Sequence, residues 1–206
     1  MDYAAVLGPG DVLDERPFTD ADNTVREVTV MREMLAAERE RARTWDEIEP
    51  GRHVIREHDD EGRRHLIVIP DTGRLLESEN LTAVGFFSQP RDDVDHGVLF
   101  TLEDELIERM DHYGEAGLLS YYDVELVKGE YGNLILFSTP DVPREWYGDE
   151  VHRRAVELSP SHYHHVRLHK GTVPGRLLDD GDIAVERTKY FDFRNGAPWY
   201  GLRNFG

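Results

Sequence analysis

Between residues 81 and 173 the hydrophobic positions switch back and forth between a period of two and a period near 3.6, and this switching predicts the elements. The stretch 81–89 (LTAVGFFSQ) is apolar on both sides and reads as a strand inside a sheet. Leu102, Leu106, Ile107 and Met110 form one helical stripe. They predict a helix over about 102–113, with Thr101 as its cap and Gly114 or Gly117 as its stop. Leu119–Val127 is a second strand, residues 128–132 a hairpin loop, and Asn133–Thr139 a third strand. Pro143 opens a second helix, with Tyr147, Val151, Ala155 and Leu158 inward and its end at Ser159 and Pro160. Tyr163–Thr172 is the fourth strand, so the order is β-α-β-β-α-β.

The flanks are less regular. Residues 1–23 are rich in Gly, Pro and Asp and read as an arm. Thr24 to Glu27 (TVRE) is a capping-box pattern that opens a helix running to about Arg43. Its buried stripe is Val25, Val28, Met31 and Leu35, and the charged run Glu38–Arg43 reads as a solvated face. His53–His58 and Arg64–Ile69 form a hairpin around the turn 59–62, and a further turn at 70–73 closes the extension 24–80. After the core 81–173, the extension 174–206 holds a strand at Ile183–Phe193. Its aromatic tail, 198–205, is expected to dock on the sheet or on a partner. The whole reads as one elaborated domain.

The core order predicts an α+β, ferredoxin-like fold: one antiparallel sheet with both helices on a single face. Alternation then assigns sides. Tyr122, Val124 and Leu126 would face the helices, with Tyr121, Asp123 and Glu125 opposite. On the fourth strand Val166 and Leu168 would face the helices, with His165, Arg167 and His169 opposite. The far side of the sheet is thus expected to gather carboxylates, imidazoles and a guanidinium.

This βαββαβ pattern over 81–173 resembles the dimeric α/β-barrel superfamily. The resemblance implies a homodimer in which two sheets pair into a barrel. The second strand of one subunit would meet the fourth of the other, so that Asp123 and Glu125 face His165, Arg167 and His169. Members of the superfamily include haem-binding enzymes, small oxygenases, isomerases and plain binding proteins, so the resemblance does not choose a chemistry. It makes haem the leading cofactor, with His112, His152, His162 and His165 as axial candidates and Arg167 as a partner for a propionate.

Composition narrows the field. The formal charge of −18 argues against broad contact with nucleic acid or an anionic membrane. There is no Cys, which removes disulfides, thiolate metal sites and a thiol nucleophile. No apolar run approaches a membrane span, and the N-terminal stretch lacks a secretory pattern, so a cytoplasmic protein is expected. His165 and His169 would point the same way from a strand but about 13 Å apart, too far to share a metal ion. No HExxH, P-loop, GxGxxG or GxSxG pattern occurs.

The expected function is a small-molecule enzyme, haem-dependent or using acid–base chemistry. His165 and His169 would be its reactive imidazoles, Arg167 its anion binder, and Asp123 and Glu125 the groups that orient the rings. The alternative is a non-catalytic binding or assembly protein whose polar face is a dimer seam.

Overall fold

The computed structural model describes residues 3–45, 51–126 and 129–205. Val127 and Lys128, expected at a strand end and in a hairpin loop, lie outside the described residues. In chain order the described elements begin with β1 (Ala5–Leu7), α1 (Ala21–Ala42), β2 (His53–His58), β3 (Arg64–Ile69), α2 (Thr72–Glu77) and β4 (Glu79–Pro90). They continue with α3 (Gly97–Glu108), α4 (Met110–Glu115), β5 (Leu118–Glu125), β6 (Tyr131–Phe137), α5 (Arg144–Tyr147) and α6 (Glu150–His162). The chain closes with β7 (Tyr163–Arg176), β8 (Ala184–Asp192) and β9 (Trp199–Asn204).

All nine strands join one sheet in the order β1-β9-β8-β7-β4-β6-β5-β3-β2. The pairing is antiparallel except where β1 lies parallel to β9. This corrects the expectation of a small ferredoxin-like fold: the architecture is a nine-stranded mixed sheet. It also overturns the dimeric-barrel arrangement. β5 and β7 are interior strands, flanked by β3 and β8, and neither offers an edge to a partner's sheet. No described helix is long and apolar enough to cross a membrane.

Both faces are covered, by different helices. On one, Met31, Met34 and Leu35 of α1 pack with Ile67, Leu81, Phe87, Tyr122, Val124 and Leu136. On the other, Leu102 and Leu106 of α3, Met110 and Tyr113 of α4, Trp146 and Val151 pack with Leu66, Val68, Ile135 and Phe137. With a core on each side, apolar residues fall on both faces of a strand, so polarity alone does not say which side meets the α3–α6 layer.

Local chemistry moves several element boundaries. Asp20, not Thr24, caps α1, its carboxylate accepting from the Asp22 N–H at 3.0 Å. Val25 is exposed, and the buried stripe includes Glu27 and Glu38. The segment read as one helix over 102–113 is two, α3 and α4, broken at Arg109. Asp149 caps α6, which runs on through Pro160 in its last turn to His162. The turn expected at 70–73 is the start of α2, with Asp71 as its cap. The arm is also built onto the sheet: Leu7 and Phe18 pack on the fully buried Tyr190.

Candidate functional site

A cavity of about 780 Å³ lies between the sheet and the α3–α6 layer. That size suits a small organic ligand, and a mainly apolar pocket with a few converging polar groups is a natural place to look for one. Strand register makes its floor. One row across the sheet runs Tyr121, Ile135, Val84, Lys170 and Arg187; the next runs Asp123, Asn133, Phe86, Leu168 and Lys189. Leu99, Leu102, Glu103 and Leu106 from α3 roof it, with Trp146 from α5 and His152, Ala155 and Val156 from α6.

At the β5 end a closed ring of hydrogen bonds lines the cavity. Arg64 donates to Asp123 Oδ2 at 2.6 Å and to Glu103 Oε2 at 3.0 Å. The Tyr121 hydroxyl donates to Glu103 Oε1 at 3.2 Å, and Asn133 Nδ2 donates to Tyr121 Oη at 3.1 Å and to Asp123 Oδ1 at 2.5 Å. Two carboxylates share one guanidinium, so the ring carries an excess of negative charge. Burial and then the nearby Glu103 carboxylate push the Asp123 carboxyl up to about 7, against the pull of Arg64 and Asn133. Burial, then Glu103 and Asp123, hold the Tyr121 hydroxyl well above its ordinary range, so it stays a donor. Arg64 Nε is buried without a partner, and the guanidinium lies over the Phe100 ring at 5.5 Å.

The β7–β8 end is cationic. Lys170 stands directly opposite Arg187, and Lys189 is the next residue on that face of β8. Lys170 pairs with the exposed Asp141 at 2.8 Å, while Arg187 and Lys189 have no ion pair among the described residues. Between the two ends the wall is mainly apolar, interrupted by His96 and His152, whose Nδ1 atoms are buried without a partner. Such atoms mark places where a ligand or water would bond. Burial lowers His152, which is therefore neutral near pH 7.

The structure separates the residues that alternation had grouped. Asp123 is in the ring just described, and Glu125, half-buried, pairs across the strands with Tyr131 on the same face. His165, Arg167 and His169 lie on the other face, beneath α1. There, buried Arg167 pairs with Glu27, and His169 contacts Glu27 Oε2 through Nε2 and Thr188 Oγ1 through Nδ1, each at 2.7 Å. His165 is stacked on Phe18 at 4.4 Å and accepts from Arg167 Nη1 at 2.9 Å. Burial, then Arg167 and Arg194, push the His165 imidazole down to about 3, so it takes up no proton near neutrality. This cluster fastens α1 and the arm to the sheet.

The haem expectation is corrected by the same placement. His165 is enclosed by Phe18 and Arg167, and His162 is buried with Nδ1 on the Leu158 carbonyl at 3.0 Å. His112 is exposed on α4, and only His152 of the four faces the cavity, where its ring packs 5.2 Å from Trp146. They do not frame a porphyrin slot, and the cavity's inner end is a charged ring instead of an apolar wall. Among the described residues no group of three or more His, Asp or Glu side chains is placed to hold a metal ion.

Sequence reasoning missed Arg64, Glu103 and Asn133 in the cavity and Glu27 beneath α1. Arg64 lies in the polar run 63–65 leading into a strand, Asn133 opens the predicted third strand, and Glu103 and Glu27 look like ordinary acids near predicted helix starts. Only the register brings them together. The chain matches no protein-family model, no curated protein and no solved structure at a significant level.

Proposed function

We propose that this protein is an acid–base enzyme acting on a small organic molecule held in the cavity between the sheet and the α3–α6 layer. The observation that carries the reading is the ring at the β5 end, where a buried aspartate faces a ligand-sized apolar space and shares its only guanidinium with a second carboxylate. A carboxyl so placed exchanges a proton close to neutral pH, where its acid and base forms are both populated. Asp123 moves the proton. Arg64 and Asn133, which donate to the two carboxyl oxygens of Asp123, hold that group in place. The unpartnered Nδ1 atoms of His96 and His152, with the apolar wall, orient the body of the molecule.

The test is solvent-deuterium exchange into a panel of carbon acids, followed by proton NMR, with wild type and Asp123→Asn side by side. The reading predicts that some member of the panel exchanges faster with wild type, and that Asp123→Asn keeps the fold and binds that molecule without exchanging it. A ligand that binds the cavity and is turned over equally by both proteins would overturn Asp123 as the proton carrier. Ligands that bind but are never turned over would support the non-catalytic binding protein.

A further inference from the structure

We infer that the cavity takes an elongated molecule with a flat apolar body and one anionic end, the anion seated at Lys170, Arg187 and Lys189 and the opposite end at Asp123. This rests on the reading of the cavity as a small-molecule site and adds the class and direction of its ligand. Like charges placed directly opposite on neighbouring strands are destabilising. Lys170 and Arg187 are such a pair, and Lys189 adds a third cation on the same face. Among the described residues the one carboxylate paired with them, Asp141, is itself exposed. In a chain with a net charge of −18, three cations lining one end of an apolar cavity are an unbalanced local charge. A ligand carboxylate, sulfonate or phosphate would balance it with charge-assisted hydrogen bonds.

The register also sets length and direction. Asp123 on β5 and Lys189 on β8 share one row, four strand spacings apart, or about 19 Å between backbones. Less the reach of the two side chains, this leaves room for more than one ring. Phe86 and Leu168 fill the row between them. The negative ring around Asp123 repels an anion, so an anionic ligand enters with its charge toward β8 and presents its other end to the carboxyl.

Two fluorescent probes test this. 8-Anilino-1-naphthalenesulfonate and N-phenyl-1-naphthylamine have the same aromatic body and differ by the sulfonate. Both are titrated into wild type and into the double variant Arg187→Gln, Lys189→Gln, while methyl NMR of Leu102, Leu106 and Ile135 reports whether each sits in the cavity. The expected result is that both probes shift those methyls and the sulfonate binds at least about tenfold tighter, as one or two charge-assisted contacts would give. That preference should collapse in the double variant and at high salt, with the neutral probe unchanged. Equal affinities with unchanged methyl shifts in the variant would overturn the anionic-end assignment and leave the cavity as a ligand site. If neither probe shifts the methyls, the cavity reading itself fails.

Discussion

Asp123 on β5 and Glu103 on α3 are joined through one guanidinium, with Arg64 donating to the first at 2.6 Å and to the second at 3.0 Å. The sheet and the helix layer are thereby tied at the point where the cavity is most polar. Because the cation is shared, each carboxylate feels the other, and burial amplifies the effect at Asp123.

The charge argument predicts a titration. The Asp123 carboxyl carbon, followed by ¹³C NMR, should titrate near pH 7. Glu103→Gln removes the neighbouring charge and should move that midpoint downward by a unit or more, while Arg64→Met should move it upward. A midpoint near the ordinary aspartate value in wild type would remove the basis for proton transfer near neutrality.

Glu38 sits on α1 fully buried, with Ser120 Oγ donating to it at 3.2 Å and its second oxygen without a partner. Burial pushes its carboxyl up to about 7 from 4.5. An acid raised in the folded state contributes stability that is fully present below 4.5 and lost as pH rises through about 7. Glu38→Gln should therefore stabilise the protein at pH 8 by up to about 3 kcal/mol and have little effect at pH 4. Urea unfolding at the two pH values checks this; an equal effect at both would contradict it.

Glu27 behaves in the opposite sense. Burial opposes its ionisation, but the hydrogen bond to His169 and the charge of Arg167 outweigh burial and hold the carboxyl below its ordinary value. Its contribution is present above 4.5 and lost as pH falls through the lower folded value. Glu27→Gln leaves Arg167 buried without its counter-charge and should cost about 3–5 kcal/mol near neutrality. The acid limb of the stability curve should become shallower in the variant. A loss below 1 kcal/mol by chemical denaturation would show that the cluster relaxes around the change.

Gly171 lies on β7 beside the register shift that brings Lys170 opposite Arg187. A methyl group there would stand 2.3 Å from the Ala184 carbonyl oxygen, and backbone cannot swing aside as a side chain can. Gly171→Ala should cost about 1–3 kcal/mol, read as a drop in thermal midpoint of about 2–4 °C for each kcal/mol. An unchanged midpoint would mean that β8 can move away from β7 freely.

Much of the local structure was legible in the pattern of residues. The doubly apolar run at 81–89, the alternating run at 163–172 and the helical stripe around Leu106 coincide with β4, β7 and α3. The architecture they build was not. The pattern predicts a four-stranded core sheet with both helices on one face, and a hairpin and a further strand as extensions. Instead β2, β3, β8, β9 and β1 all join that one sheet, and α1 covers its second face. Alternation separates the two sides of a strand without saying which side meets which helix. Alternation therefore places Tyr122 and Val124 on the α3–α6 side, whereas they pack beneath α1, and it groups Asp123 with Arg167, which lies across the thickness of the sheet. Glu27 and Glu38 escaped for a different reason: a carboxylate in a helix counts as polar, and only its partners in space reveal that it is buried.

The parallel pairing of β1 with β9 sets Ala5 beside Gly201, and among the described strands β9 is the only neighbour of β1. Such a contact closes a loop from residue 5 to residue 201, and loop closure is slowest for partners most distant in sequence. That margin of the sheet is therefore expected to zip up last during folding and to fray first. When β9 peels away from β8, β1 loses its hold, and Phe18 loses a flank of the packing that presses it onto His165. Hydrogen exchange should report this as a single opening event shared by amides near the two ends of the chain, at a lower free energy than exchange from β4 and β6.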